Sequence, residues 1–157
     1  MARKEINDIS IAPIGVVKNE MTETGRRNCV DVISEIIINE EFTDGLAHID
    51  DFTDITVMYW MHIDDWPDDP KPLMTHQRHD ESLPLVGVFS NRSPDRPNRI
   101  GLCTAKIVEL KGNVLKVSRL DAINGTKVLD IKPWMPRIDG IPDAKPAWWA
   151  VAPPKED

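Results

Sequence analysis

The sequence has too few cysteines, and hydrophobic runs that are too short, for several classes of protein. Its two cysteines, Cys29 and Cys103, cannot build a disulfide framework or a four-cysteine zinc site, and so few thiols are typical of a reducing compartment. No run approaches the roughly 18 apolar residues of a membrane span, and residues 1–10 contain no apolar signal-peptide core. We therefore expect a cytoplasmic protein with no membrane partner.

Long helices are also missing from the pattern. Thirteen prolines and eight glycines divide the 157 residues into short segments, which disfavours the crossover helices of a Rossmann-like sheet. The length and the hydrophobic fraction of 41% suit a single domain, so we expect residues 1–157 to form one. The net charge of −7 argues against a whole-surface nucleic-acid coat, and we expect no DNA partner, but a local basic patch is compatible with it.

Seven segments alternate in polarity or are rich in β-branched residues, which predicts strands. They are residues 11–17, 31–39, 54–62, 83–90, 102–110, 113–122 and 126–134. The nearly continuous apolar run 54–62 predicts a strand that is covered on both faces. Lys111-Gly112-Asn113 predicts a hairpin turn between two neighbouring strands.

The segments between these strands complete the predicted fold. Residues 40–52 predict one short helix, residues 63–84 predict a long exposed loop, and the proline-rich tail from Met135 predicts an irregular surface segment. Many short strands with turn chemistry between them favour a barrel. We therefore expect a mainly all-β protein, a small antiparallel β-barrel with one short helix and a long exposed loop.

The most informative segment is an arginine loop, residues 87–101. It holds Arg92, Arg96 and Arg99 among prolines that stiffen the backbone. Rigid guanidinium groups suit carboxylates and phosphates, because both accept paired hydrogen bonds. The same arginines would equally suit ion pairs with the carboxylates of this acidic protein itself.

Part of this loop, SNRSPDRPNRIGL, resembles the signature loop of the TsaA/TrmO-like family, whose pattern is approximately F-x-T-R-S-x-x-R-P-N-P-I-G. Three further blocks resemble the family in the same order: IAPIGVVKN, EEFTDGLAHIDDFTDITVMYWMH and LDAINGTKVLDIKPWMP. The resemblance extends over about residues 11–136. Four blocks in one order make a chance match implausible.

The resemblance implies an activity, a cofactor and partners. Characterised members of the family are methyltransferases that use S-adenosyl-L-methionine to methylate the exocyclic nitrogen of threonylcarbamoyladenosine at position 37 of tRNA. They are antiparallel β-barrels that form homodimers, with the cofactor near the subunit contact. Larger bacterial members carry a further C-terminal domain, and we expect this chain to be a short form without it.

The family's cofactor contacts carry over to several positions of this chain. By resemblance, the cofactor-binding residues are Arg26, Arg27, His62, Ile63, Arg92, Leu102, Asn124, Gly125, Thr126 and Lys127. We expect Arg96 and Arg99, which flank the same site, to contact RNA. The chain departs from the family pattern at Asp54, Arg99, Asn124 and Lys127, where the pattern has His, Pro, Asp and Pro. Cofactor binding would survive if the 124–127 turn binds through its backbone, whereas Arg99 bears on which RNA is bound.

Other residues carry alternatives that the sequence leaves open. Asp121 and Asp130 are candidates to accept the proton that the amine loses, but acids at such positions are more typical of turn caps or ion pairs. Met58, Trp60 or Trp134 would supply apolar packing for an adenine ring. His76 and His79 lack a strong third ligand, so we expect no metal site.

Two further functional interpretations remain beside the tRNA methyltransferase. One is a methyltransferase of the same fold that acts on another RNA or on a small molecule, which the acidic charge and the expected short form favour. The other is a non-catalytic module that binds S-adenosyl-L-methionine or RNA. The three arginines beside a nucleoside-sized pocket favour the tRNA enzyme over that module.

Overall fold

The structure is a computed structural model that describes residues 9–22, 29, 31–62 and 73–151. Its strands are β1 (Gly15–Lys18), β2 (Ile33–Ile38), β3 (Asp54–Trp60), β4 (Met74–His76), β5 (Leu85–Gly87), β6 (Ile100–Lys111), β7 (Val114–Ser118) and β8 (Lys127–Pro133). Six of them close into an antiparallel barrel in the order β1-β2-β7-β6-β3-β8, while β4 and β5 pair in a separate sheet. The predicted antiparallel barrel is confirmed.

Strand alternation fills the barrel with aliphatic side chains. Successive side chains of a strand point to opposite faces, and the inward set includes Ile36, Ile55, Leu115 and Val117, all at 0% exposure. The prediction that residues 54–62 are covered on both faces is wrong, because Trp60 at the end of β3 is 39% exposed. A barrel this small covers only the inner face of each strand.

One end of the barrel is closed by residues 40–54, which we call the acidic cap. Two 3-10 helices, Glu40–Leu46 and Ile49–Asp51, lie here in place of the single helix predicted for 40–52. His48 between them has a left-handed backbone with φ of 64°, which interrupts the helix. Leu46 is buried against the core and anchors the cap.

The opposite end, which we call the barrel mouth, is where β1 and β3 end and β6 and β8 begin. Trp60 pairs there with both Ile100 and Lys127, and Val16 pairs with Lys127. The predicted hairpin is confirmed at the other end, where Gly112, with φ of 60°, turns the chain from β6 into β7. The chain returns from β7 to β8 across the mouth.

The predicted long loop is more structured than its sequence indicates. Residues 63–72 lie outside the described residues, but β4 pairs with β5, and a 3-10 helix (Gln77–His79) follows β4 directly. The tail likewise contains α1 (Pro136–Asp139) and a 3-10 turn (Trp148–Ala150). Among the described residues, no helix is both long and apolar enough to span a membrane.

Candidate functional site at the barrel mouth

A short plug segment, residues 119–122, crosses the barrel mouth between β7 and the turn before β8. Leu120 is fully buried and Ala122 is 4% exposed, so both point into the barrel. Arg119 and Asp121 alternate with them and are exposed. The segment therefore seals the core and presents one cation and one carboxylate to solvent.

Two side chains of the barrel wall hold the plug segment in place. The hydroxyl of Tyr59 donates to the carbonyl oxygen of Asp121 at 2.5 Å. The thiol of Cys103 donates to the carbonyl oxygen of Arg119 at 3.2 Å, and its sulfur accepts from the backbone N–H of Asp121 at 3.4 Å. The carbonyl oxygen and the N–H of Asp121 are thus both held, which fixes the position of its Cα and so the point from which its side chain extends.

Gly101 makes this arrangement sterically possible. Tyr59 and Gly101 are directly paired across β3 and β6. A Cβ at Gly101 would lie 2.5 Å from Cζ of the tyrosine ring, far inside van der Waals contact. Only glycine lets the ring lie across β6 and reach the plug segment.

The turn at residues 123–126 forms the next part of the mouth. Gly125 has φ of 82°, a conformation that glycine adopts without strain. The backbone N–H groups of Asn124 and Gly125 donate to the carbonyl oxygens of Met21 and Val17 at 2.6 and 2.8 Å. Because these donors are engaged, the turn offers a ligand its carbonyl oxygens rather than its N–H groups.

His62 and Asn19 brace this turn from two sides. The Nδ1 atom of His62 lies 3.4 Å from Oγ1 of the buried Thr126, and its ring also faces Gly125. The amide of Asn19 donates to the carbonyl oxygen of Ala122 at 2.8 Å, and its backbone N–H donates to Oδ1 of Asn124. The end of β3, the end of β1 and the turn therefore meet at one rim.

The arginine loop joins the same rim and is stiffened from within. Arg96 donates from Nε to the carbonyl oxygen of Ser93 at 2.7 Å and from Nη2 to those of Asn91 and Val88 at 2.5 and 3.1 Å. The carbonyl oxygen of Arg99 accepts from the N–H of Met61 at 2.7 Å, which ties the loop to the end of β3. Arg96 therefore organises the loop, because its Nε and Nη2 groups are engaged by carbonyl oxygens of the loop itself.

The charges of the mouth act on the groups that hold the plug. Burial and then the negative charge of Asp121 raise the pKa of Tyr59, and the positive charge of Arg92 opposes this. Burial also raises the pKa of Cys103, on which Asp121 and Arg92 act with the same opposite signs. Both groups stay protonated donors near neutral pH. Asp121 and Arg92 therefore lie close enough to the same pair to exert opposite fields on it.

The structure places the other predicted site residues as follows. Lys127 is exposed at the start of β8, and Leu102 is 46% exposed on the outer face of β6, opposite Met58. Arg26, Arg27 and Ile63 lie outside the described residues. Trp134 lies at the wrong end for adenine packing here, because its backbone N–H donates to the backbone carbonyl oxygen of Asp54 at the acidic cap.

The two candidate proton acceptors have different surroundings. Oδ2 of Asp130 lies 2.7 Å from the ammonium of Lys132, and its Oδ1 accepts a hydrogen bond from the backbone N–H of Ile131 at 2.9 Å. These contacts are typical of an ion-paired structural acid. Asp121 is exposed at the mouth, with its backbone rather than its carboxylate held. The geometry therefore favours Asp121 for chemistry.

The histidines of the 73–90 region form no metal cluster within the described part of the chain. Nδ1 of His76 bonds to the carbonyl oxygen of Leu83 at 2.7 Å, and Nε2 of His79 lies 3.6 Å from the buried carboxylate of Asp95. Both rings therefore brace the loops around the mouth.

Sequence reasoning missed Asn19, Tyr59 and the role of Cys103. The sequence indicated no structural role for Cys103, but the residue is half-buried and bonded to the plug segment. Tyr59 is the only tyrosine of the chain and is followed closely by His62, which is the one signal that would have marked it.

Comparisons with known proteins agree with this architecture. The family model of the tRNA-methyltransferase O N-terminal domain matches residues 18–140. An S-adenosyl-L-methionine-binding protein of Archaeoglobus fulgidus is 42% identical over 137 residues, which cover 83% of this chain and 93% of that protein. A tRNA (adenine(37)-N6)-methyltransferase of Rattus norvegicus is 30% identical over 135 residues, which cover 86% of this chain and 30% of the rat protein.

Solved structures share the fold. A crystal structure of TrmO superposes with a TM-score of 0.72 at 24% identity, over 94% of this chain and 65% of that one. TrmO from Pseudomonas aeruginosa gives 0.70 at 23% identity, over 94% and 64%. This chain thus spans just under two-thirds of their length, and at such identity the likeness shows the fold alone.

Proposed function

This chain belongs to the tRNA-methyltransferase O N-terminal domain family, and from that premise we propose that it uses S-adenosyl-L-methionine to methylate the exocyclic nitrogen of threonylcarbamoyladenosine at position 37 of tRNA. The names of its relatives support both the cofactor and the modified base. The observation from this chain that carries the proposal is that the plug segment, the 123–126 turn and the arginine loop all meet the end of β3, through the contacts of Tyr59, His62 and Met61.

The residues of the mouth fit the chemical groups of S-adenosyl-L-methionine. The exposed guanidinium of Arg92 suits its carboxylate. The carbonyl oxygens of the 124–125 turn suit donors such as the adenine amine, because the N–H groups of that turn are already engaged. Exposed apolar side chains at Trp60 and Leu102 suit the adenine face.

Methyl transfer from S-adenosyl-L-methionine is a direct displacement, so the main role of the protein is to position the two reactants. When bound, S-adenosyl-L-methionine supplies an electrophilic methyl group and a neutral thioether as leaving group. The chain orients the two reactants and excludes water, which alone accounts for large rate effects in displacement reactions. Asp121 accepts the proton that the nitrogen loses as the new carbon–nitrogen bond forms, because its carboxylate is not already committed, as that of Asp130 is.

The test combines binding and product analysis. Calorimetry of the purified chain should show binding of S-adenosyl-L-methionine. Mass spectrometry of nucleosides from incubated tRNA should show a methyl group added to threonylcarbamoyladenosine and to no unmodified adenosine. Absence of the methylated product would overturn the proposal, and absence of binding as well would remove S-adenosyl-L-methionine as the ligand.

A non-catalytic binding protein is the second candidate, and a specific observation favours it. Two archaeal relatives align with this chain over nearly their whole length. Their names refer to binding of S-adenosyl-L-methionine, not to transfer of its methyl group. Binding in calorimetry without methylated product from any tRNA pool would select this candidate.

We also propose that the chain acts as a homodimer in the cytoplasm, where tRNA is modified. The exposed apolar side chains of the tail support a contact between copies, since Ile138, Ile141 and Trp148 are each more than two-thirds exposed. Light scattering at micromolar concentration should give twice the chain mass. A fully active monomer would contradict the dimer.

A further inference from the structure

The two ends of the barrel carry opposite charge. The acidic cap contains six carboxylates and no lysine or arginine within residues 40–54. At the mouth, four of the six barrel strands end or begin at a cation: Lys18 closes β1, Arg119 follows β7, Arg99 precedes β6 and Lys127 opens β8. The chain is acidic in sum, but these four cations lie at the end of the barrel that holds the candidate site.

Arg119 is the most informative of these cations, because its backbone is strained. Its φ of 64° lies in the left-handed region, which an arginine adopts only at a cost in free energy. The thiol of Cys103 bonds to its carbonyl oxygen, and the neighbouring Leu120 is fully buried. The conformation is therefore held by its surroundings, and the exposed side chain starts from a fixed point on the plug segment.

Three of these cations, Lys18, Arg119 and Lys127, make no ion pair within the part of the chain that the structure describes. Lysines on the barrel wall differ, since Lys116 and Lys132 are paired with Glu109 and Asp130. Among the described residues, the exposed carboxylates of Glu20, Asp31 and Asp121 form no ion pair with Lys18, Arg119 or Lys127.

We propose that Lys18, Arg119 and Lys127 form a phosphate-binding edge of the mouth that contacts the sugar–phosphate backbone of tRNA, while the acidic cap faces away from it. This inference rests on the proposed function and deepens it. Cations on separate strands around one rim suit a polyanion that curves around the mouth, because each neutralised phosphate releases counterions. The opposite charge of the cap orients the approaching RNA. A contact of this kind is independent of base identity.

The test is a titration of labelled tRNA at several salt concentrations with the full chain. Arg119→Gln and Lys18→Gln should each lower the log–log salt slope by about 0.7–0.9. Between roughly 50 and 200 mM salt, the tRNA affinity of each variant should therefore fall by a factor about threefold smaller than that of the wild type. Arg119→Lys, which keeps the charge, should restore the slope. Affinity for S-adenosyl-L-methionine should stay unchanged in all three variants.

Lys111→Gln is the matched control, because it removes the same charge from an exposed residue at the far end of β6. It should leave the slope unchanged. Equal slopes for wild type, Arg119→Gln and Lys18→Gln would overturn the inference, as would an equal effect of Lys111→Gln. If either result is found but the wild type still methylates tRNA, the proposed function stands and only the phosphate-binding edge is wrong. If the wild type forms no methylated product, the proposed function itself is overturned.

Discussion

Removal of the hydroxyl of Tyr59 tests whether the plug segment is held in place for catalysis. In Tyr59→Phe, the ring still packs beside Gly101, but the donor to the carbonyl oxygen of Asp121 is lost. The sulfur of Cys103 still accepts the hydrogen bond from the backbone N–H of Asp121. Asp121 therefore loses one of its two backbone anchors while the core of the barrel is unchanged.

The magnitude follows from the burial of the two partners. Tyr59 is 7% exposed and neutral, so the lost bond is a neutral one worth about 0.5–1.5 kcal/mol. The orphaned carbonyl adds a further cost, but Asp121 is exposed and water reaches it in part. We expect the free energy of unfolding to fall by about 1–1.5 kcal/mol. For a chain of this length that lowers Tm by about 2–6 °C.

The functional readout separates positioning from stability. We expect kcat for methyl transfer to fall several-fold at a temperature where the variant is fully folded, with the KM for S-adenosyl-L-methionine nearly unchanged. Thr43→Ala is the control, since it removes an exposed hydroxyl that donates to Glu40 at the acidic cap. Scanning calorimetry and initial rates measure both variants. A Tyr59→Phe protein with wild-type Tm and wild-type kcat would refute the reasoning.

Three other perturbations have distinct expected results. Arg92→Ala should weaken S-adenosyl-L-methionine binding by about 1.5–3 kcal/mol, as measured by calorimetry, because a charge-assisted contact is lost; unchanged affinity would remove Arg92 from the site. Arg96→Ala should lower the free energy of unfolding by about 1–3 kcal/mol, since three loop carbonyls lose a donor, and an unchanged Tm would contradict its structural role. Burial raises the pKa of Cys103, so its stabilising effect is complete below the ordinary thiol pKa of about 8.5 and is lost as pH rises through the higher folded value. In urea unfolding, Cys103→Ser should therefore lose less stability than wild type above that pH, and parallel curves would speak against a buried neutral thiol.

Local sequence signals predicted the parts of the fold that local chemistry determines. Strand segments with β-branched residues and the Gly112-Asn113 turn are confirmed, because both depend on neighbours in the chain. The helix expected at 40–52 is instead two 3-10 helices, because His48 between them has a left-handed backbone that the residue pattern does not indicate. The prediction that both faces of β3 are covered was wrong, because apolar composition alone does not distinguish a strand of a barrel wall from a central strand of an open sheet.

The candidate site was predicted only where resemblance or spacing pointed to it. The contact of His62 with Thr126 joins two segments that the resemblance had marked, whereas the internal bonds of Arg96 depend on the fold of its own loop. The contact between Tyr59 and Asp121 joins residues 62 positions apart and requires a glycine on a third segment. No local pattern encodes such a contact, because it exists only after the barrel closes.

The most direct measurement of the central claim is transfer of a trideuteromethyl group from labelled S-adenosyl-L-methionine to tRNA, with wild type, Asp121→Asn and Asp130→Asn compared in single turnovers. The account predicts that the label appears on threonylcarbamoyladenosine, that Asp121→Asn slows its appearance by about 100-fold or more, and that Asp130→Asn slows it little. Label on another nucleoside, or equal rates for the two variants, would contradict the assignment of the barrel mouth as the site of methyl transfer.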